Sequence, residues 1–303
     1  MGEFLRDFTE RAKREGLVIN YVKVLRGGEV VDEYSRLPTK TRLNSWSVSK
    51  SVVSLAAGIA RDEGLIRLDE RICDAFPEYV PENPSPNLTD IRLTDMLTMT
   101  TGLKSPLYFA DDPERYTTKD WIKPFFDAEF TKRPGEQFLY SNFNTFVLSC
   151  LIEKRAGTNL LYYLWDRLLE PIGIGNPEWT LDPNGHVHAA NGLYLTIDEM
   201  ANIGQLLLQK GEWKGKQLVP ADYIEEATGQ RTMIPGPPGS YARDIWNGYG
   251  YFFWINPDGS YRADGKLGQY IMVLPEKDAV IATMSLEGKS IFSAVWEEIA
   301  QKL

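Results

Sequence analysis

Short turns join alternating segments at both ends of this chain, and no other feature constrains the fold as strongly. VINYVKVL alternates and stops at Arg26-Gly27-Gly28-Glu29, after which VVDEYSR resumes as the second arm of a hairpin. Toward the other end, YGYFFWI meets a turn at Asn256-Pro257-Asp258-Gly259, SYRADG follows, and GQYIMVL reaches a turn at Pro275-Glu276-Lys277-Asp278 before AVIATMS. Connections this short demand antiparallel pairing. The simplest assembly is one antiparallel sheet of about five strands, two from the N-terminal end and three from the C-terminal end. A charged amphipathic helix, MGEFLRDFTERAKREGL, and a second helix from Ser290 to Lys302 cover it.

Residues from about 45 to 240 show no convincing alternation. They carry helical stretches instead: Thr94 to Thr100, Phe143 to Arg155, Leu160 to Leu169 and Ile197 to Gln209, separated by proline-rich loops at Pro77 to Pro86 and Pro235 to Pro238. The fold class expected is α/β of the α+β kind. Residues 1–45 with 241–303 form the sheet domain, residues 46–240 an inserted, mainly helical lobe, and the active site lies at their interface.

Composition narrows the function. The 33 Lys and Arg against 42 Asp and Glu give a net charge of −9, which argues against a nucleic-acid partner because a phosphate backbone needs a basic face. Cys73 and Cys150 stand in apolar settings without C-x-x-C spacing and read as reduced core cysteines. The start lacks the apolar core of a signal peptide and no run is long enough to span a membrane, so a soluble, cytoplasmic protein is expected.

The chemistry centres on NSWSVSKSVVSLAAGIARDEGL. Asn44 or Ser45 reads as a cap, Val48, Val52, Val53, Leu55, Ala56, Ile59 and Ala60 as the buried face, and Gly64 as the stop of a helix whose first turn carries Ser47. Lys50, three residues on, shares a face with Ser47. A serine hydroxyl needs a base to become a nucleophile, and a lysine sunk in an apolar wall can lose its proton and serve as one. Alone the pair is weak, since about one Ser-x-x-Lys arises by chance in a chain of this size.

Two further segments add to it. Tyr140-Ser141-Asn142 stands where a loop enters a helix. Tyr140 could shuttle a proton to or from Ser47 when a lysine ammonium lowers its pKa, and Asn142 could hold a substrate carbonyl. On the strand RADGKLGQYIMVL, glycine permits close backbone approach, suiting a substrate laid along the strand with an N–H aimed at its oxyanion. Trp46, Trp246 and Trp254 read either as an acyl pocket or as core. A Ser-His-Asp triad would have to use His186 or His188, and no G-x-S-x-G elbow exists. No carboxylate or cysteine flanks that His-x-His at ligand spacing, so it reads as a loop pair and no metal or cofactor is expected.

Ser47-Val48-Ser49-Lys50, then Tyr140-Ser141-Asn142, then a glycine-bearing strand before PEKD, resemble the three ordered motifs of the penicillin-binding protein and serine β-lactamase superfamily. The similarity is to its class C branch, which includes family VIII esterases, D-aminopeptidases and 6-aminohexanoate-dimer hydrolases. DEGLIRLDERI, LTDMLTMTTGL, PGEQFLYSN and NGLYLTIDEMANIGQLLLQKGEW resemble family segments in the right order. The resemblance implies a β-lactamase/transpeptidase-like fold, Ser47 as the acylated nucleophile, and Lys50 and Tyr140 as coupled base and acid. It further implies Asn142 as a substrate contact, with Ala263 and Gly265 lining the third strand. The oxyanion hole would use the N–H of Ser47 and one near Gly265, that of Lys266. Where relatives carry Lys-Thr-Gly or His-x-Gly, this chain has Ala263-Asp264-Gly265, with Arg262 pointing to the other face, and Met99 replaces a histidine. The missing cation weakens recognition of a substrate carboxylate. Ester or amide hydrolysis of a small molecule or short peptide therefore ranks above β-lactamase or D-Ala-D-Ala peptidase activity, and above a non-catalytic binding protein on the same fold.

Overall fold

The structure is a computed structural model and describes residues 2–106, 117–233, 247–286 and 291–303. Helix α1 (Arg6–Glu15) leads into β1 (Ile19–Arg26) and β2 (Glu29–Ser35), the expected hairpin, in which Arg26 pairs with Glu29. After the two-residue strand β3 (Leu43–Asn44) comes α2 (Val48–Asp62). Short helices α3 (Ile72–Ala75), α4 (Pro86–Thr89), α5 (Leu93–Leu97) and α6 (Lys123–Phe126) precede α7 (Asn142–Ala156) and α8 (Leu160–Leu164), which continues as a π-helical turn to Leu169. Strands β4 (Glu178–Trp179) and β5 (Leu193–Leu195), helix α9 (Ile197–Leu208), the hairpin β6 (Glu212–Trp213) and β7 (Lys216–Gln217), and α10 (Ala221–Thr228) complete the middle. The chain returns through β8 (Gly248–Tyr249), β9 (Trp254–Ile255), β10 (Tyr261–Gly265), β11 (Gln269–Leu274) and β12 (Ala279–Ser285) to α11 (Phe292–Val295), with a π turn running to Ala300.

The main sheet is antiparallel, as expected, but has seven strands in the order β2-β1-β12-β11-β10-β9-β8. Five C-terminal strands form against the three expected: all four C-terminal segments pair, and YGYFFWI is not one strand but two. Phe252 takes φ +62°, so Gly248–Tyr249 and Trp254–Ile255 fold back on each other. The N-terminal hairpin joins the C-terminal strands through β1 and β12, with Val22 opposite Thr283 and Val24 opposite Ile281. The helical middle also holds strands that two-residue lengths hide from any alternation test: β5 pairs with β3 and β4, and β6 with β7.

Both faces of the sheet are covered, which explains why β1 is buried over seven consecutive residues. One face, with Val22, Val24, Met272 and Ile281, packs on Leu5 and Phe8 near the N-terminus and on Val295 and Ile299 near the C-terminus. Tyr21, Ile271, Val273, Val280 and Ala282 look the other way, into a larger core shared with α2, α7 and α9. Helix α9 starts on a capping box, in which Thr196 accepts from the Glu199 N–H and the Glu199 carboxylate accepts from the Thr196 N–H. It lies on β1, β11 and β12, closely enough that a Cβ at Gly204 would meet Val280 at 2.4 Å. Buried on every side from Val48 to Ala60, α2 is a core helix and not an amphipathic surface one. Both cysteines are buried free thiols. Among the described residues no helix is long and apolar enough to cross a membrane.

Candidate active site

Strand β3 delivers the chain to α2 through a strained corner. Asn44 does not cap the helix, nor does Ser45. The Asn44 side-chain oxygen accepts from the N–H of Trp46 at 2.9 Å and of Gly192 at 3.2 Å, tying the corner to the loop before β5. Trp46 is held at φ +50°, a conformation that costs a non-glycine residue about 1–3 kcal/mol. Its carbonyl accepts from the Ser49 N–H and hydroxyl, at 3.1 and 2.6 Å. The corner places Ser47 at the N-cap of α2, one residue ahead of the first turn expected for it, with no cap bond from its side chain. Among the described residues no acceptor takes the Ser47 N–H, which stands at the positive end of the helix.

Lys50 is 1% exposed, and its Nζ donates to Ser47 Oγ at 2.9 Å and to the Ala190 carbonyl at 2.8 Å. Its polar neighbours are a hydroxyl and a carbonyl. Burial, with no carboxylate partner among the described residues, pushes its pKa well below the ordinary 10.5, toward a neutral amine. Tyr140 lies over this pair, its ring centroid 4.8 Å from the lysine nitrogen and its phenol hydrogen-bonded to Ser47. The expectation of a lowered phenol pKa is corrected: burial pushes it up, and the Ser47 hydrogen bond offsets this only in part. Burial shifts Lys50 toward its neutral form, and desolvation is the largest influence on the phenol. The Tyr140 ring stacks on Trp254 at 5.5 Å and 23° and meets Tyr249 edge-on, so Trp254 is core that supports the phenol. Trp246 lies outside the described residues.

Ser141, not Asn142, caps α7, its hydroxyl accepting from the Phe143 N–H at 3.2 Å. Asn142 is the first helical residue, 8% exposed, and no described residue hydrogen-bonds its side chain. Met99 has a packing role: its sulfur accepts from the Ser141 N–H and from Asn144 Nδ2, both at 3.4 Å, while its carbonyl accepts from the Leu139 N–H at 2.8 Å. It thereby fixes the loop carrying Tyr140.

The third segment reaches the same place. Ala263 is buried in β10, facing the core of α2. Arg262 turns to the opposite face as expected, over the Phe292 ring at 4.4 Å and ion-paired with Asp264 at 3.0 Å. At the end of β10, a Cβ on Gly265 would stand 2.3 Å from the Ser45 carbonyl oxygen, so glycine is what lets the strand touch the corner before Ser47. Lys266 follows, its ammonium 5.3 Å from the Trp46 ring centroid. Gly265→Ala is expected to push β10 from the corner, lowering kcat/KM about 100-fold and destabilising the fold by about 1–3 kcal/mol; ester kinetics and chemical denaturation read the two effects.

The three sequence segments, some 90 and 120 residues apart along the chain, thus meet around one hydroxyl. Sequence reasoning missed the Ala190 carbonyl, the Asn44 tie and the strained Trp46, none of which has a side-chain signature. Ala189, at φ +61°, aims Ala190 and is an ordinary alanine in the sequence.

Taken with the sheet and its covering helices, this site defines a serine-lysine-tyrosine arrangement on a β-lactamase and penicillin-binding-protein-like fold. The Beta-lactamase family model matches residues 3–300, and the chain belongs to that family. It is 29% identical over 293 residues to a 6-aminohexanoate-dimer hydrolase of Paenarthrobacter ureafaciens, covering 86% of this chain and 71% of that protein. A β-lactamase of Escherichia coli is 24% identical over 235 residues, covering 70% of this chain and 58% of the relative, whereas the match to Staphylococcus aureus Protein flp spans 34% of that protein's length. In fold the chain is similar to the octameric penicillin-binding protein homologue from Pyrococcus abyssi, at 20% identity and a TM-score of 0.75 over 97% of this chain and 76% of that one. It is also similar to a family VIII carboxylesterase, at 15% identity and 0.74 over 99% and 96%.

Proposed function

We propose that this chain is a serine hydrolase that cleaves an ester or amide bond of a small molecule or short peptide through an acyl-enzyme on Ser47. The observation that carries the reading is the 2.9 Å contact between Ser47 Oγ and a buried Lys50 amine whose surroundings favour the neutral form. Ser47 attacks the substrate carbonyl while Lys50 accepts its proton. The oxyanion is held by the Ser47 N–H and by an N–H at the Gly265–Lys266 end of β10. Tyr140, hydrogen-bonded to Ser47, passes a proton to the leaving alcohol or amine, drawing on the new ammonium of Lys50. Water then attacks the acyl-enzyme with the same pair as base, and Asn142 contacts the substrate amide.

The site would lie between a sheet domain, residues 1–45 with 241–303, and a helical lobe, residues 46–240, with α9 serving the sheet. Substrate class follows from the third strand. Ala263 offers no cation and Arg262 is turned away beneath Phe292, so a carboxylate such as that of a penicillin gains nothing there. The 6-aminohexanoate-dimer hydrolase relative and the carboxylesterase neighbour support the preference for amides and esters.

The test is intact-protein mass spectrometry after exposure to a fluorophosphonate, a p-nitrophenyl ester and a penicillin. A single fluorophosphonate adduct mapping to Ser47, with ester turnover and no stable penicilloyl adduct, is expected. A folded sample without any adduct refutes the hydrolase reading, and a penicilloyl adduct on Ser47 reverses the substrate preference.

A further inference from the structure

On α7, Cys150 and Glu153 stand three residues apart on one face, and the loop between β4 and β5 brings His186 against them. The thiol sulfur, a carboxylate oxygen and a ring nitrogen all lie within 4.8 Å of one another. Cys150 and Glu153 are buried, whereas the His186 side chain keeps 32% of its surface. This corrects the expectation that the histidine pair has no carboxylate or cysteine neighbour: the sequence places those donors more than thirty residues away, and the fold returns them.

The cluster is oriented as well as close. One Glu153 oxygen contacts His186 Nδ1, and the other accepts from the N–H of Leu160 at 2.9 Å and of Val187 at 3.2 Å. Beside it Asp182 is 6% exposed. One of its oxygens accepts from the N–H of Asn184 and of His186, at 2.9 and 2.8 Å, while the other is buried and has no hydrogen-bond partner among the described residues. Buried carboxylate oxygens are normally satisfied. The charges of Glu153, Asp182 and Asp120 join burial in driving the Cys150 thiol up. Among the described residues no lysine or arginine ion-pairs with any of the three.

We propose that Cys150, Glu153 and His186 form a binding site for a soft divalent cation of the zinc type. A sulfur, an imidazole nitrogen and a carboxylate oxygen form a zinc or cobalt donor set, poorly suited to magnesium or calcium. Water supplies the fourth position, with Asp182 standing outside the group of converging donors. Binding takes the proton from the Cys150 thiol and offsets the surrounding negative charge. It would pin α7 to the loop that runs on to Ala190, whose carbonyl receives the Lys50 amine. The metal would brace the fold from outside the reacting groups, and this inference is independent of the hydrolase reading.

The probe is Co2+, titrated into chelator-treated, full-length protein kept reduced with a phosphine. One equivalent is expected to produce thiolate-to-cobalt absorption in the near ultraviolet with tetrahedral visible bands, and Zn2+ should displace it. Cys150→Ala should abolish the near-ultraviolet band and lower Zn2+ affinity about 100-fold. His186→Gln, at the exposed side of the cluster, should weaken binding without disturbing the core, with circular dichroism confirming that both variants fold. Saturating Zn2+ should raise the Tm of the wild type by several degrees and leave that of Cys150→Ala unmoved. Absence of the band in folded wild type, a band that survives in Cys150→Ala, or equal Zn2+ effects on both proteins would overturn the site and leave a histidine–glutamate pair beside an inert thiol. None of these readouts uses turnover.

Discussion

Ser47→Ala is expected to lower turnover of a p-nitrophenyl ester by about 10⁴-fold to 10⁶-fold while leaving the fold almost unchanged. The size of the loss follows from the site having one hydroxyl at which its parts meet. Lys50 donates to it, Tyr140 is hydrogen-bonded to it, and the corner at Trp46 presents it. Removing it leaves a base and an acid with nothing to activate. The small structural effect follows from the local geometry. Ser47 occupies the N-cap of α2 without a side-chain cap bond, so alanine forfeits no cap, and Lys50 Nζ keeps the Ala190 carbonyl as its acceptor. A stability cost of about 1–3 kcal/mol is expected, the usual worth of the two hydrogen bonds lost, to Lys50 and Tyr140. Denaturation curves and ester kinetics on the same preparation separate the two effects, and a folded variant that retains turnover would refute Ser47 as nucleophile.

Much of this architecture is legible in the sequence because turns are local. Gly27-Gly28 and Pro275 to Asp278 are tight enough to dictate antiparallel neighbours, and β1–β2 and β11–β12 pair accordingly. What escaped reading depends on backbone conformations without a residue signature. Phe252 at positive φ splits one apparent strand into two, and Trp46 at positive φ starts α2 later than its cap-like residues suggest. The site divides in the same way. Ser47, Lys50 and Tyr140 carry their chemistry in side chains and can be found by motif order, whereas the Ala190 carbonyl that shares the Lys50 amine is a backbone group aimed by tertiary packing. The state of the proton carriers was also beyond sequence: spacing predicts that Lys50 reaches Ser47, but that its polar contacts among the described residues are a hydroxyl and a carbonyl, with no carboxylate, is a property of the fold. The same holds for His186, whose donor neighbours lie on a helix distant in sequence.

Lys50→Met should lower kcat/KM by about 10³-fold to 10⁵-fold and, unlike Ser47→Ala, change how both activity and stability respond to pH. In the wild type, acid protonates Lys50, and an ammonium cannot accept the Ser47 proton. The rate should therefore climb with pH through the depressed Lys50 pKa and reach its plateau well before 10.5. Methionine, similar in length and uncharged, keeps the apolar stem packed but removes that limb from the residual rate. Stability follows from the same shift. Because the folded pKa is lowered, the native state binds fewer protons at Lys50 than the unfolded chain does. Wild-type stability should accordingly rise with pH between the folded pKa and the unfolded value near 10.5. The variant has no such proton to lose, so the stability difference between the two proteins should drift toward the wild type across that window. Urea denaturation at a series of pH values measures the drift. A flat difference together with an unchanged acid limb would mean that Lys50 is charged in the folded protein, and the role of base would pass to another group.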